Sequence, residues 1–369
     1  MAWSSQQETA LRDVAAWLKD PAGKQVFRLF GFAGTGKTTL AIEMASMANG
    51  SVNYGAFTGK AATVMRSKGC QGADTIHSLI YRPVEDEFGA VMFRLNMESP
   101  VRESALTIID EVSMVGPDIG RDLLSFGTKV LVLGDPAQLP PVDGAGFFTH
   151  AEGCEPDVML TEIHRQAADN PIIAMATRVR LGETLDVGTY GDSRVIMRPD
   201  LNAEAILAAD QCLVGKNVTR HLWNRRIREL KKLKADTPVK GDKLVCLKNF
   251  KMKGFFNGSL WRAEKVHNRA DAVHVWVSPF EEESKRKAVS ARVLRPFFSG
   301  NEGNLSRDER RNFDEFTYGY ALTCHKAQGS QWGDVVITDE SSVFREDAKR
   351  WLYTAITRAA KKVTVAAAA

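Results

Sequence analysis

The sequence predicts an α/β protein of two domains, each a parallel sheet with helices on both faces. A small β-hairpin interrupts the first domain and a small β-barrel the second. Three observations carry this reading. Short apolar runs alternate with segments able to form helices from Gln6 to Leu133. The run Val26–Phe30 leads directly into Gly31-Phe32-Ala33-Gly34-Thr35-Gly36-Lys37-Thr38, a complete phosphate-loop pattern. A similar alternation restarts at Gln211–Val214, breaks off, and resumes at Phe316–Tyr320, Asp334–Thr338 and Lys362–Val365.

Each element follows from its residues. Gln6–Leu18 places Ala10, Leu11, Val14 and Leu18 on one helical face. Val26–Phe30, Val52–Phe57, Ala105–Ile109 and Lys129–Leu133 read as short buried strands. Residues 79–103 interrupt them. There Val91, Phe93 and Leu95 alternate with Met92 and Arg94, and Glu87-Phe88-Gly89 supplies a turn. Residues 239–311 form the longer interruption, with Asn257-Gly258 as a turn and Val273–Val277 as a strand. Its exit, Ser299–Arg311, is polar and contains glycine, as a linker does. The predicted division is 1–78 with 104–159, then 160–238 with 312–369, the insertions being 79–103 and 239–311.

Composition narrows the class. A chain of 369 residues can hold two domains and small insertions. Its 44% hydrophobic and 25% charged residues are those of an ordinary globular protein. No apolar run is long enough to span a bilayer, and the first residues lack the plan of a secretion signal, so no membrane role is expected. Cys70, Cys154, Cys212, Cys246 and Cys324 are scattered. They predict reduced thiols in a cytoplasmic, reducing compartment, with neither zinc site nor disulfide framework. The net charge of +4 permits nucleic-acid binding without requiring it.

The phosphate loop sits after a strand and before a helix, where backbone N–H groups can cradle phosphates. Gly31, Gly34, Thr35, Gly36, Lys37, Thr38 and Thr39 are its candidate nucleotide ligands. Lys37 is placed to meet the β- and γ-phosphates of ATP, and Thr38 to bind Mg²⁺. Ile108-Ile109-Asp110-Glu111 ends a strand in two acids. Asp110 is the second candidate Mg²⁺ ligand, and Glu111 the group that polarises an attacking water. Gln138, after the strand Lys129–Leu133, is a neutral candidate sensor of the γ-phosphate or its water. Apart from Asp110 and Glu111, no carboxylate cluster suggests a nuclease.

These runs, read together, carry a resemblance. GFAGTGKTT, FTGKAA, TIHSL, IIDEVSM, GDPAQLPPV, EIHRQ, ALTCHKAQGSQW and YTAITRA occur in that order over nearly the whole chain. The set resembles the ordered motifs of superfamily 1 DNA helicases, and most closely the RecD/Dda type that moves 5′ to 3′ on single-stranded DNA. The resemblance implies two RecA-like P-loop motor domains, with residues 79–103 as a strand-separating pin and 239–311 as an SH3-like subdomain. It implies that Gln7 reads adenine. Arg165 and Arg358 would enter the ATP site from the second domain, and Gln328 and Gly329 would couple DNA to ATP. The implied partners are single-stranded DNA and duplex junctions, with the motor active as a monomer.

Single-strand binders pair a positive groove with stacking aromatics. Thr58, Gly59 and Lys60 follow one strand end, with Thr75 and His77 next, and Thr323, His325 and Lys326 follow another. Phe88 at the hairpin tip is the first candidate wedge and Phe93 the second. Arg220–Lys234 is the most basic stretch, and Asn217, Arg220 and Asn224 at its start resemble a helicase motif. Trp223, Trp261, Trp276 and Trp332 are available either for base stacking or for core packing.

Three functions remain open at this point. The first is an ATP-dependent helicase. The second is a DNA-stimulated ATPase that closes a clamp without unwinding. The third, a P-loop enzyme acting on a small molecule, fits poorly with the distal arginine motifs.

Overall fold

The computed structural model describes residues 3–85, 91–141, 144, 146–149, 155–162, 169–233, 237–280 and 288–368. The chain forms two compact units, residues 1–180 and 181–369. The break falls after Arg180 rather than near residue 160 as the sequence predicts, so the helix Pro171–Leu181 goes almost entirely with the first unit.

In the first unit, strands β1 (Val26–Gly31), β2 (Val52–Ala56), β3 (Asp74–Thr75), β6 (Leu106–Asp110), β7 (Val130–Gly134) and β8 (Val158–Leu160) make one sheet, and β4 (Tyr81–Glu85) pairs only with β5 (Val91–Leu95). The six-stranded order is β3-β2-β6-β7-β1-β8, and each pairing is parallel. Both faces are covered. Leu131 and Leu133 pack with Leu29 and Ile108 on one side, while Val130 and Val132 pack with Phe30 and Ile109 on the other. This is why the strands read as continuous apolar runs rather than as alternating ones. The β4–β5 pair is antiparallel, with Pro83 opposite Phe93.

The second unit contains two sheets. The first consists of β9 (Gly188–Tyr190), β10 (Ser193–Met197), β11 (Gln211–Val214), β17 (Ala321–Thr323), β18 (Trp332–Thr338) and β19 (Ala359–Ala367), in the order β17-β11-β18-β19-β10-β9. Only β9 joins it antiparallel. The second consists of β12 (Lys243–Cys246), β13 (Leu260–Asn268), β14 (Val273–Pro279), β15 (Val289–Val293) and β16 (Phe316–Tyr318), all antiparallel. Val273, Val275 and Val277 are buried while His274 and Trp276 are only half-buried, the period of a sheet with one covered face.

One strand changes sheets relative to the sequence reading. Phe316–Tyr320 was expected in the second parallel sheet, but Phe316 pairs with Cys246 and Tyr318 with Leu244. The two aromatic rings belong to the antiparallel core with Phe255, Trp261 and Phe298. An apolar run of this length suits either sheet, and the fit of the aromatics decides. The chain returns to the parallel sheet at Ala321, through a tight passage at Gly319, where a Cβ would lie 3.0 Å from a Leu244 backbone atom. The polar exit is no simple linker either, since Ser306 and Glu309 form a capping box on the helix Arg307–Arg310.

A buried ion pair joins the two sheets of this unit. The Arg228 guanidinium meets the Asp242 carboxylate at 3.0 Å, and the Tyr320 hydroxyl donates to the same carboxylate at 2.9 Å. Arg228 comes from the helix Asn217–Leu230 and Asp242 immediately precedes β12. The basic stretch is therefore not one solvated face, because Arg220 and Arg228 both turn inward. Trp261 is likewise core rather than a stacking platform. Among the described residues, no helix is long and apolar enough to cross a membrane. Cys70, Cys212, Cys246 and Cys324 are free and buried. Burial pushes the thiols of Cys212, Cys246 and Cys324 up to about 12, which keeps them protonated and inert.

Candidate nucleotide and nucleic-acid sites

The phosphate loop is shaped by its glycines. Gly34 and Gly36 hold φ of 82° and 80°, a left-handed conformation that glycine adopts without strain. Gly31 leaves no room for a side chain, since a Cβ there would lie 2.6 Å from Thr35 Oγ1. Thr35 closes the turn by donating its hydroxyl to the Phe32 carbonyl at 2.9 Å. The Lys37 ammonium reaches back to the carbonyls of Gly31 and Phe32, at 2.6 and 3.1 Å. It thus stands over the cradle formed by the loop. Thr38 donates to Asp110 Oδ2 at 2.8 Å, which joins the loop to the end of β6. Thr39 is exposed on the first turn of the helix Lys37–Ser46.

Two further expected residues lie at strand ends. Glu111 has φ 55° and ψ 44°, a left-handed conformation that is unusual for glutamate. Strain of this kind gathers at functional sites, where it fixes a side chain's direction. Gln138 is 6% exposed and its Oε1 has no hydrogen-bond partner. A buried acceptor left open costs about 1–3 kcal/mol, so it points to a group that arrives from outside.

Gln7 lies beside the phosphate loop. Its Oε1 accepts from Ser4 N–H at 3.0 Å and its Nε2 donates to the Thr35 carbonyl at 3.1 Å. The amide thus ties the first helix to the phosphate loop. Arg165 and Phe88 lie outside the described residues.

Sequence reasoning missed a contact on the same loop. The Arg180 guanidinium carbon lies 3.6 Å from the centre of the Phe32 ring. Nothing in either segment alone signals that pairing.

The expected nucleic-acid residues of the first unit share one construction. Thr58 accepts from Ala61 N–H and caps the helix Gly59–Ser67, whose first turn carries Lys60. Thr75 accepts from Ser78 N–H and caps the helix Ile76–Ile80, which carries His77. Burial lowers the pKa of Lys60. Phe93 is 54% exposed and sets its ring edge-on to His77, with centroids 4.4 Å apart.

In the second unit Thr323 holds the N-cap position of the helix Cys324–Ala327, which carries His325 and Lys326, but its side chain makes no cap hydrogen bond. Burial holds His325 below the ordinary histidine value, so the ring is neutral at neutral pH. Lys326 donates to Asn257 at 3.2 Å. Gly329 follows with φ 73°. Arg358, just beyond the buried helix Ala348–Ile356, is 6% exposed. Its Nε donates to the Thr354 carbonyl at 3.1 Å and its Nη1 to the Ser330 carbonyl at 3.4 Å. No carboxylate among the described residues pairs with it.

Asn217 is exposed at the start of its helix, and Asn224 faces inward. It is buried, accepts from Ala321 N–H at 3.0 Å, and donates to the carbonyls of Ala321 and Arg220 at 3.0 and 2.9 Å. Its amide secures the edge strand β17. Glu340, missed entirely, accepts from Gly215 N–H, Lys216 N–H and the Thr219 hydroxyl at 2.8, 3.0 and 2.7 Å. It fixes the helix start that presents Asn217, and no local pattern announces an acid so distant in sequence.

With this geometry established, the comparisons decide the family. Residues 2–198, more than half of the chain, match the model of an AAA domain. The chain belongs to that family. Residues 318–366 match a UvrD-like helicase C-terminal domain. The chain is 32% identical over 364 residues to an ATP-dependent RecD2 DNA helicase of Deinococcus radiodurans, covering 94% of this chain and 47% of that protein. It is 25% identical over 393 residues to a probable conjugal transfer protein TraA of Sinorhizobium fredii, covering 96% of this chain and 31% of that one. The chain thus spans half or less of the length of these relatives. Its fold is similar to that of the Pif1 helicase from Candida albicans, with a TM-score of 0.58 at 20% identity over 99% of this chain and 94% of that one. A Bacteroides Pif1 helicase in complex with ADP-AlF3 and single-stranded DNA gives 0.57 at 19% identity, over 99% and 92%.

Proposed function

We propose that the chain is an ATP-dependent DNA helicase that translocates 5′ to 3′ on single-stranded DNA and parts duplex strands ahead of it. The observation that carries this reading is a threonine at a helix start just after a strand end, found in both units. Thr58 and Thr75 cap their helices by hydrogen bond in the first, and Thr323 holds the cap position without a side-chain bond in the second. Backbone N–H groups at such turns bind phosphate oxygens, and Lys60, His77, His325 and Lys326 stand beside them. Two grips that tighten alternately on one strand convert a nucleotide cycle into steps. The relative from Deinococcus radiodurans supports the same activity by its name.

In the nucleotide site, Lys37 neutralises the β- and γ-phosphates and Glu111 orients the attacking water. Gln138 offers its open Oε1 to that water. Thr38 and Asp110, a hydroxyl and a carboxylate already 2.8 Å apart, fit Mg²⁺, a hard cation that takes one or two protein oxygens and completes its shell with phosphate and water. The cation would supply charge neutralisation at the phosphates. Arg358, in the second unit, and Arg165 lend positive charge to the transition state. ATP drives closure to the extent that it binds the closed state more tightly than the open one.

The hairpin β4–β5 acts as the pin, with Phe93 as its aromatic face. The antiparallel sheet β12–β16 acts as an SH3-like subdomain. The deciding experiment is unwinding of matched duplexes with a 5′ or a 3′ single-stranded tail. ATP-dependent separation of the 5′-tailed substrate is expected. DNA-stimulated ATPase without strand separation would make the protein a clamp, and separation of the 3′-tailed substrate alone would reverse the polarity.

A further inference from the structure

We infer that Phe344 is a positioning residue, the point at which the single-strand grip of the second unit meets the helix that leads to Arg358. Through this ring, a strand held by the grip sets the arginine for hydrolysis. The inference rests on the helicase reading and gives a role to a residue that belongs to neither the nucleotide site nor the single-strand track.

The sequence after β18 runs Asp339-Glu340-Ser341-Ser342-Val343-Phe344-Arg345-Glu346-Asp347. Acids and serines dominate it, and one large aromatic stands in its middle. Ser341–Asp347 winds as a 3₁₀ segment and passes directly into the helix Ala348–Ile356. Within it Arg345 holds φ 49° and ψ −110°, a conformation that tight turns reserve for glycine. An L-residue keeps such a conformation only where the surrounding contacts fix the backbone. Phe344, its neighbour, makes those contacts.

Three elements converge on the Phe344 ring. The fully buried ring of Trp351, in the helix Ala348–Ile356, is stacked on it at 5.6 Å with 15° between the planes. The His325 ring, in the turn after β17, lies 5.7 Å away. Gly215, just ahead of Asn217, lies against the ring edge, where a Cβ would come 2.9 Å from Phe344 Cε2. The helix start that presents Asn217, the turn that carries His325 and the helix that leads to Arg358 therefore share one side chain. Hydrogen bonds run alongside. Glu340 holds the N–H groups of Gly215 and Lys216, and the Cys324 thiol donates to the Trp351 carbonyl at 3.6 Å. Arg358 Nε in turn donates to the carbonyl of Thr354, in the same helix as Trp351.

Close packing turns this cluster into a connection. Packed side chains have no free volume to absorb a displacement, so they pass it on. A strand that draws His325 or the Asn217 helix start toward its phosphates displaces Phe344, and Trp351 moves with it. Phe344 carries no charge and no hydrogen-bonding group, so its effect reaches either ligand only through these neighbours.

The test measures how far an oligothymidylate stimulates ATP turnover in the full chain and in its Phe344→Ala, Phe344→Leu and Phe344→Tyr variants. At saturating oligothymidylate, Phe344→Ala should turn over ATP about 5- to 150-fold more slowly, the usual range of coupling between two sites. The KM for ATP, the rate without DNA and the oligothymidylate affinity should stay within about twofold. Phe344→Leu keeps the apolar cover but offers Trp351 no flat face. It should unfold at the same denaturant concentration as the unmodified chain and show the same loss, and Phe344→Tyr should restore stimulation. The coupling should also appear in binding. Adenylyl imidodiphosphate should shift the oligothymidylate affinity of the unmodified chain and leave that of Phe344→Leu unchanged.

Normal stimulation in Phe344→Leu would overturn the inference while the helicase reading stands. So would an equal fall of the stimulated and unstimulated rates, which would make the ring a support for the Arg358 helix alone. Weakened oligothymidylate binding with full turnover at saturation would make it part of the grip and overturn the inference as well. If the unmodified chain neither binds oligothymidylate nor is stimulated by it, the helicase reading itself fails and the inference falls with it.

Discussion

Thr38 donates its hydroxyl to Asp110 at 2.8 Å, so the phosphate loop and the end of β6 are already joined before any nucleotide is considered. The two residues lie far apart in sequence: Thr38 opens the helix Lys37–Ser46 that follows β1 and the phosphate loop, and Asp110 ends β6. Their meeting follows from the strand order, which leaves only β7 between β1 and β6. Ligand sites of open parallel sheets gather at the carboxyl ends of the strands, and here the loop after β1 and the acid of β6 meet there.

Lys37 donates to the Gly31 and Phe32 carbonyls and is not among the buried core residues. Lys37→Ala should therefore fold normally, abolish ATPase activity and leave single-strand binding within about twofold. A steady-state ATPase assay beside fluorescence anisotropy checks this. A variant that still hydrolyses ATP would remove Lys37 from the site.

Glu111 sits at φ 55°, where an L-residue with a long side chain is strained by about 1–2 kcal/mol. Asparagine tolerates that region better. Glu111→Asn should therefore raise stability by a few tenths to about 1 kcal/mol in urea unfolding while reducing turnover at least 100-fold. A gain in stability with turnover retained would show that the strain serves no catalysis.

Arg358 is buried on carbonyls and carries a charge that no described carboxylate offsets. A guanidinium lent to the transition state is worth about 10³–10⁵ in rate. Arg358→Lys keeps the charge but loses the planar fork. It should bind ATP with little change and hydrolyse it at least 100-fold more slowly, as nucleotide binding and single-turnover rates measured together would reveal.

Much of this was legible in the sequence because it is local. Gly31–Thr38 carries its own geometry, and the strands on either side of Asp110 and Gln138 are apolar enough to declare themselves. What was not legible depends on partners distant in the chain. Phe316–Tyr318 is as apolar as a parallel strand, and only its fit beside Trp261 and Phe255 assigns it to the antiparallel sheet. Gln7 and Asn224 are polar residues at motif positions, and a motif does not say whether an amide faces a ligand or the backbone of its own protein. Glu340 and Arg180 act on helix and loop termini to which no spacing rule connects them.

Asn224 turns that distinction into a measurement. Removing its amide strands the buried N–H and carbonyl of Ala321. Asn224→Ala should cost about 2–3 kcal/mol of stability and leave the affinity of the folded protein for single-stranded DNA unchanged. Denaturant unfolding and binding isotherms separate the two effects. A loss of affinity without a loss of stability would return Asn224 to the DNA track.

Phe93 is the residue through which the hairpin touches the proposed single-strand track. Its ring meets His77 edge-on at 4.4 Å, and His77 itself lies 4.6 Å from the Tyr81 ring at the foot of β4. An aromatic this exposed contributes little to the core, so its removal should leave the fold intact. A wedge acts on the duplex and not on ATP. Phe93→Ala should therefore keep DNA-stimulated ATPase within about twofold while unwinding falls at least tenfold. The same variant should still move along single strands, which displacement of a bound end-label can follow. Equal loss of ATPase and unwinding would make the ring a support for His77, acting on the grip instead of the junction. The Phe93→Leu variant separates these cases further, because leucine can fill the contact with His77 but offers no flat face to a base pair.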